Sequence, residues 1–395
     1  MAVTRREWLR SAGVLAGASV IAGKGTARAA GPAASPPAAG SAELFDVPDF
    51  ERQAQVRLSP MAWEYISEGA ADELTLRWNR ESYDRLRLRP RALVDVSQLD
   101  TRVTLLGREL PFPILLAPTA YHKLAHPDGE LATVRGAGAA GATMVLSTMS
   151  TVSLEDVAAA ATHPLWFQLY VQPDREFTRR LVGRAESAGY QALVVTVDAP
   201  VLGARYRELR AHFNLPPGVE RANLKGLVTA TGAQRATEQS IFSATLDPKV
   251  TWKEIDWLRS LTRLPVLLKG VMNPDDAARA VDAGVSGLIV SNHGARNLDT
   301  VPATIDALPE VVAKVGGRLP VLVDGGIRRG TSVLKALGLG ATAVLIGRPY
   351  LYGLAAEGAA GVTRVVNILR REFEMAMALT GRTSIAAIDS SVIWR

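Results

Sequence analysis

A barrel of eight parallel strands wrapped by helices, the α/β class (β/α)8 TIM barrel, follows from three observations on this sequence. Eight short apolar runs alternate with helix-like crossovers, the set occupies about 230 residues, and every run stops in polar or glycine-rich residues. The runs cover residues 114–117, 144–146, 166–169, 192–197, 265–268, 288–290, 320–323 and 343–346. Unbroken apolar runs of this length suit parallel strands buried on both faces. A doubly wound open sheet is the alternative, but no G-x-G-x-x-G follows the first run.

Taken from the N-terminus, Arg5 and Arg6 precede a small apolar run over 11–23 and then Ala27-Arg28-Ala29. A charged start, an apolar stretch too short to span a bilayer and an A-x-A-like end read as a cleaved twin-arginine export signal over 1–29, which implies a periplasmic or extracellular protein; a disordered basic tail is the alternative. Residues 30–46, rich in Ala, Gly, Pro and Ser, are expected to be a flexible linker, with the catalytic domain over 47–395. Of the net charge of +6, residues 1–29 contribute +4 (five basic, one acidic), leaving +2, too little to indicate a nucleic-acid partner. The chain has no cysteine, which excludes disulfides, thiolate nucleophiles and cysteine-ligated metal. Five histidines without ligand spacing make a bound metal unexpected.

Residues 47–84 have a helical pattern, interrupted where Tyr65 to Ala70 ends one helix at Gly69 and Asp72 to Leu76 begins another. This is an N-terminal helical preamble. The strand ends then present Pro118-Thr119-Ala120, Ser147, Gln168 with Tyr170, Thr196 with Asp198, Lys269, Ser291 with His293, Asp324-Gly325-Gly326 and Gly347-Arg348. Together they describe a polar ring at the C-terminal end of the barrel, where such folds carry their chemistry. The loops after strands seven and eight, Asp324-Gly325-Gly326-Ile327-Arg328 and Gly347-Arg348, hold glycines and arginines where barrels bind phosphate. Lys269, at the end of an apolar strand, needs an anion: the N1–C2=O edge of a flavin, or a carboxylate of the rim. The break between strands four and five, residues 200–249, is too long for an ordinary βα loop and is expected to form a lid, bringing Arg205 near the barrel mouth.

The sixth strand runs into Ser291-Asn292-His293-Gly294-Ala295-Arg296-Asn297-Leu298-Asp299. A proton acceptor three residues from a forked cation suits a substrate that loses a proton while its carboxylate is clamped. A structural histidine beside a surface ion pair is the bland alternative.

These motifs, with His126-Pro127-Asp128-Gly129-Glu130, Phe167-Gln168-Leu169-Tyr170, residues 193–198 and Gly347-Arg348-Pro349, resemble the FMN-dependent L-2-hydroxy acid oxidases and dehydrogenases, the glycolate, lactate and mandelate-oxidising enzymes, over residues 47–389. The resemblance implies FMN as cofactor, held by Pro118, Thr119, Ala120, Ser147, Gln168, Thr196, Lys269 and Ser291, with its phosphate against Asp324, Gly325, Gly326, Ile327, Arg328, Gly347 and Arg348. It implies His293 as catalytic base with Asp198 behind it, Arg205, Arg296 and Tyr65 on the substrate carboxylate, and Tyr170 at the reacting end. It further implies a small-molecule 2-hydroxy acid as substrate, O2 or an electron carrier as oxidant, no stable membrane anchor, and a homotetramer. Met149 stands where plant glycolate oxidases carry an aromatic residue, so a side chain larger than that of glycolate is expected. A flavin-binding barrel without turnover, or a phosphate-binding barrel acting on sugars or nucleotides, are the rival readings; a base at His293 argues against the first, and bound flavin would exclude the second.

Overall fold

The computed structural model describes residues 43–227, 241–242 and 245–394. The signal over 1–29, all but the last residues of the linker, and residues 228–240 and 243–244 of the expected lid lie outside them.

Eight parallel strands close into a barrel in chain order. They are β1 Ile114–Leu116, β2 Met144–Ser147, β3 Leu165–Leu169, β4 Leu193–Thr196, β5 Val266–Lys269, β6 Gly287–Val290, β7 Val321–Val323 and β8 Ala343–Ile346. Each coincides with one of the apolar runs to within a residue at either end. Alternation of period two sorts their side chains: Leu115, Val145, Val194, Leu267, Ile289, Leu322 and Leu345 share one buried cluster, while Ile114, Leu116, Met144, Leu146, Leu193 and Leu288 join a second one with the helices. The first is the barrel interior. A two-stranded antiparallel ribbon, Val103–Leu105 with Arg108–Leu110, adds Val103, Leu105 and Leu110 to it.

Register fixes the rim. Ser147 lies beside Gln168, and Thr196 beside Lys269. Parallel pairing therefore puts polar residues from neighbouring strands at one height.

Three helices precede the barrel: α1 Val47–Arg57, α2 Pro60–Ser67 and α3 Leu74–Arg85. Asp46 and Asp49 form a reciprocal capping box on α1, and Ser59 with Pro60 starts α2. Leu44, three residues before α1, is already packed: its side chain is buried and its carbonyl accepts from Arg364 at 2.8 Å. Helix α3 starts two residues later than the sequence pattern indicates. Its free N–H groups are capped from a distance: Asp299 accepts from Asp72 at 3.1 Å, Leu74 at 3.2 Å and Thr75 at 2.8 Å. Ala70 N–H also donates to the Ala295 carbonyl at 2.7 Å. The preamble is thus fastened to the loop after β6, which positions Tyr65 at the barrel mouth.

Candidate active site

The loop after β6 leaves the barrel through three consecutive left-handed residues, His293 (φ 59°), Gly294 (φ 62°) and Ala295 (φ 64°). For His293 and Ala295 this backbone costs about 1 kcal/mol each, so the surroundings must hold it. They do so from several sides. Ser291 Oγ accepts the His293 N–H at 3.1 Å, Arg348 donates to the Gly294 carbonyl at 3.0 Å, and Ala70 holds Ala295.

His293 Nδ1 lies 2.8 Å from Asp198 Oδ1. An ionised aspartate there can only accept, so the ring proton sits on Nδ1 and Nε2 presents its lone pair to the cavity, 3.3 Å from the Tyr170 hydroxyl. Burial pushes the imidazole below its ordinary value; the Asp198 carboxylate opposes this, while Lys269 and Arg205 reinforce it. Burial pushes the other way on Asp198, yet His293 and Lys269 more than offset it, and its carboxyl stays low. The site rests as neutral His293 on ionised Asp198. Gly270 (φ 110°) is what lets Asp198 approach: a Cβ there would fall 2.5 Å from the Asp198 Cβ. Asn297 donates to the Asp198 carbonyl at 2.7 Å.

Arg296 lies half-buried above the Tyr65 ring, its guanidinium carbon 4.9 Å from the ring centroid. Its Nη1 donates to the carbonyls of Tyr65 at 2.7 Å and Glu68 at 3.1 Å, whereas its Nη2 is buried with no hydrogen-bond partner. Its one anionic neighbour is Glu208 Oε2 at 3.7 Å, beyond hydrogen-bond reach, and a buried guanidinium donor without a hydrogen bond beside a neutral base suits an incoming anion. Arg205 approaches from the lid segment, its Nε donating to the Arg296 carbonyl at 3.2 Å. Tyr65 stacks on Phe213 at 4.2 Å. The half-buried Tyr170 has its phenol pushed up by desolvation and by Asp198, so it remains a neutral donor.

A hydrogen-bonded wall follows the rim. Ser147 Oγ donates to Gln168 at 3.1 Å, and Gln168 donates to Thr196 at 2.9 Å. Lys269 Nζ donates to Ser291 Oγ at 2.9 Å and lies 3.2 Å from Asp324 Oδ2. Lys269 stays protonated: desolvation works against the charge, and Asp324 and Asp198 outweigh it. Asp324 and Arg348, both expected at the phosphate, line this end of the barrel together with Gly325, Gly326 and Gly347. The Asp324 carboxylate is the counter-ion of Lys269, since a buried ammonium needs a partner. Three donors of Arg348 hold the carbonyls of Ile66 (3.0 Å), Glu68 (2.7 Å) and Gly294 (3.0 Å), bracing α2 against the His293 loop.

The residues fit a phosphorylated flavin on several counts. Backbone N–H groups of Gly325, Gly326, Ile327, Arg328 and Gly347 have no acceptor among the described residues, and neither does the buried Nε of Arg328. Gly325 and Gly326 are also required by packing, as both have positive φ and a Cβ on Gly326 would lie 1.8 Å from the Asn79 carbonyl oxygen. Gly347 is not: a Cβ there meets nothing nearer than Thr119 Cγ2 at 3.6 Å. The space beside it is a cradle that a phosphate would fill.

One cavity of about 440 Å³, within the usual range for ligand sites, unites these groups. Tyr65, Pro118, Thr119, Ala120, Ser147, Met149, Gln168, Tyr170, Thr196, Arg205, Lys269, His293, Arg296, Asp324 to Arg328, Gly347 and Arg348 all line it. Asp198 and Ser291 stand one layer behind, touching His293 and Lys269. The sequence reading missed Tyr121, Phe213, Leu215 and Glu208, which also line the cavity, and Gly270. The apolar residues of the lid segment carry no motif of their own; a glycine directly after Lys269 was the one visible sign of a close approach.

A profile described as FMN-dependent dehydrogenase matches residues 54–395. The chain is 50% identical over 352 residues to L-lactate oxidase of Nostoc sp., covering 87% of this chain and 96% of that protein. It is 48% identical over 355 residues to glycolate oxidase 1 of Oryza sativa subsp. indica, covering 89% and 96%. Among solved structures, mandelate oxidase with (S)-2-phenylpropionate superposes with a TM-score of 0.81 at 40% identity, covering 89% of this chain and 98% of the other. With the barrel, the phosphate cradle and the base-and-arginine pair in place, the chain belongs to the FMN-dependent dehydrogenase family.

Proposed function

We propose that the protein oxidises an L-2-hydroxy acid to the 2-oxo acid and passes the electrons to O2, releasing H2O2. The observation that carries this reading is the meeting, in one cavity, of the His293 lone pair and the Arg296 guanidinium, whose Nη2 makes no hydrogen bond. The similarity to L-lactate and glycolate oxidases supports oxygen as acceptor. Bound FMN supplies the two-electron acceptor. The protein's own part is to bind, orient and move a proton: Arg296 and Arg205 take the carboxylate, Tyr65 flanks it, and the 2-hydroxyl lies toward Tyr170 and His293 Nε2. Oxidation removes one hydrogen from the hydroxyl and one from Cα, and either order of departure requires His293 neutral at the outset. Asp198 stabilises the imidazolium that results. A panel of L-2-hydroxy acids, scored for oxygen consumed and peroxide formed, tests the assignment.

Met149 sets the substrate's side chain in this proposal. It is buried and lines the cavity together with Tyr121, Phe213 and Leu215, a largely apolar group in which Arg221 donates to the Tyr121 hydroxyl at 2.8 Å. One or two buried methylenes are worth ~1–3 kcal/mol of discrimination. Medium aliphatic or aromatic acids, such as 2-hydroxy-4-methylpentanoate or mandelate, are expected to exceed glycolate in kcat/KM about ten-fold or more. Met149→Trp should shift preference toward small acids. Glycolate as best substrate of the wild type, or an unchanged ranking in the variant, would remove Met149 from this role.

Export through the twin-arginine route and assembly as a homotetramer are also proposed, on sequence alone. FMN is made inside the cell and its site exists only after eight strands have met, so loading must precede translocation. Changing Arg5 and Arg6 together to Lys should leave active yellow enzyme in the cytoplasm; normal recovery outside it would exclude this route.

A further inference from the structure

Next to the arginine pair lies a carboxyl group that the proposed reaction does not use. Glu68 follows α2 and is fully buried at 0% exposure. One carboxyl oxygen accepts the Glu208 N–H at 2.8 Å, and the other has no partner. Glu208 belongs to the short helix Tyr206–Arg210 of the lid segment and lines the cavity. Its Oε2 stands 3.5 Å from Arg205 and 3.7 Å from Arg296, the two cations assigned to the substrate carboxylate. An internal carboxylate thus already sits on the clamp, and a second acid lies behind it.

We propose that Glu68 and Glu208 form an acid pair that sets the charge of the carboxylate site, so that binding of the substrate anion is linked to keeping a proton on Glu68. The inference rests on the 2-hydroxy acid reading. With Glu68 neutral, two arginines face one carboxylate, and the surplus positive charge matches one incoming anion. With Glu68 ionised the cluster is already neutral, and a further anion binds against net repulsion. The remaining charges nearby cancel as a set, two arginines against two carboxylates: Arg207 pairs with Glu64 and with Glu73 (3.1 Å) while reaching Ser67, and Arg348 holds the Glu68 main-chain carbonyl. Burial first, and the adjacent Glu208 carboxylate, push the Glu68 carboxyl up to about 7, with Arg296 opposing. It is therefore protonated below neutrality and ionises as pH rises through 7, weakening anion binding over the same interval. Linkage makes the effect reciprocal, and a bound anion must draw a proton onto Glu68.

The test uses the FMN-loaded enzyme and 2-hydroxy-2-methylpropanoate, a 2-hydroxy acid with no Cα hydrogen to lose, so that binding is measured by calorimetry without turnover. For a coupling of one pH unit, wild-type affinity should fall about sevenfold between pH 6.5 and 9, with uptake of about half a proton at pH 7.5. Glu68→Gln keeps an oxygen for the Glu208 N–H and cannot ionise; it should bind with nearly constant affinity and take up no proton at pH 7.5. Glu208→Gln offers a second route: it should bind more tightly at every pH, because no internal carboxylate competes, and its transition should move below that of the wild type. Affinity curves and proton uptake alike in wild type and both variants would overturn the acid pair while leaving the carboxylate site standing. Absence of binding at any pH would overturn the site itself and the pair with it.

Discussion

His293→Asn is expected to purify yellow and to reduce its flavin with L-2-hydroxy acids ~10²–10⁴-fold more slowly than the wild type, the usual contribution of a positioned general base. Asparagine is the informative replacement because its amide can still donate to Asp198, where Nδ1 now donates at 2.8 Å, so the left-handed turn and its neighbours keep their contacts. What disappears is the lone pair facing Tyr170. FMN content should be unchanged, since the rim contacts of Ser147, Gln168, Thr196 and Lys269 do not pass through the ring. The wild-type pH profile gives a second check. Burial holds the His293 ring below the ordinary imidazole value, and the base form is the one present above that value. The second-order rate of flavin reduction, measured well below saturation and so reporting the free enzyme, should rise with pH on the acid side with its midpoint below about 6.5. Near wild-type reduction by the asparagine variant, or a midpoint well above that of free imidazole, would take the proton-accepting role away from His293.

Arg296→Lys is expected to lower kcat/KM about 10²–10³-fold, with both KM and kcat affected. The guanidinium does two things at once: Nη1 bridges the carbonyls of Tyr65 and Glu68, and Nη2 makes no hydrogen bond, with Glu208 Oε2 3.7 Å away. A lysine ammonium is a single point of charge and cannot hold both carbonyls while presenting a second parallel donor. It also gives up the planar contact over the Tyr65 ring. Loss of the bridge lets the carboxylate tilt, and a misplaced Cα then slows the chemical step as well as binding. Steady-state kinetics with a 2-hydroxy acid, alongside FMN content, decides the matter. Unchanged kinetics would show that Arg296 only braces the α2 carbonyls.

All eight barrel strands were legible because each is buried on both faces, so the apolar run and the strand are nearly the same object. The rim was legible for a related reason: polar residues directly after such runs have few places to go other than the barrel mouth. What escaped was decided between residues far apart in the chain. The ribbon closing the barrel interior turns through Leu106 (φ 51°) and Gly107 (φ 76°) and carries Arg108 and Glu109, so neither its turn nor its strands announce themselves. The start of α3 is set by Asp299, more than two hundred positions away in sequence. Arg348 and Asp324 sit in the expected loops, yet neighbours on α2 and on β5 determine that one is a strut and the other a counter-ion. Glu68 looked like an ordinary helix-end residue, and its importance arises only from the burial imposed by the lid segment and the Arg296 loop.

Anaerobic mixing of the FMN-loaded enzyme with L and D forms of lactate, 2-hydroxy-4-methylpentanoate and mandelate, with the flavin absorbance followed and air then readmitted, tests the oxidase directly. Rapid bleaching is expected with at least one L acid, slow or no bleaching with its D partner, and return of the yellow colour in air with one H2O2 formed per 2-oxo acid. An enzyme that keeps its oxidised flavin with every acid, or one whose bleached flavin stays reduced in air, would contradict the oxidase assignment.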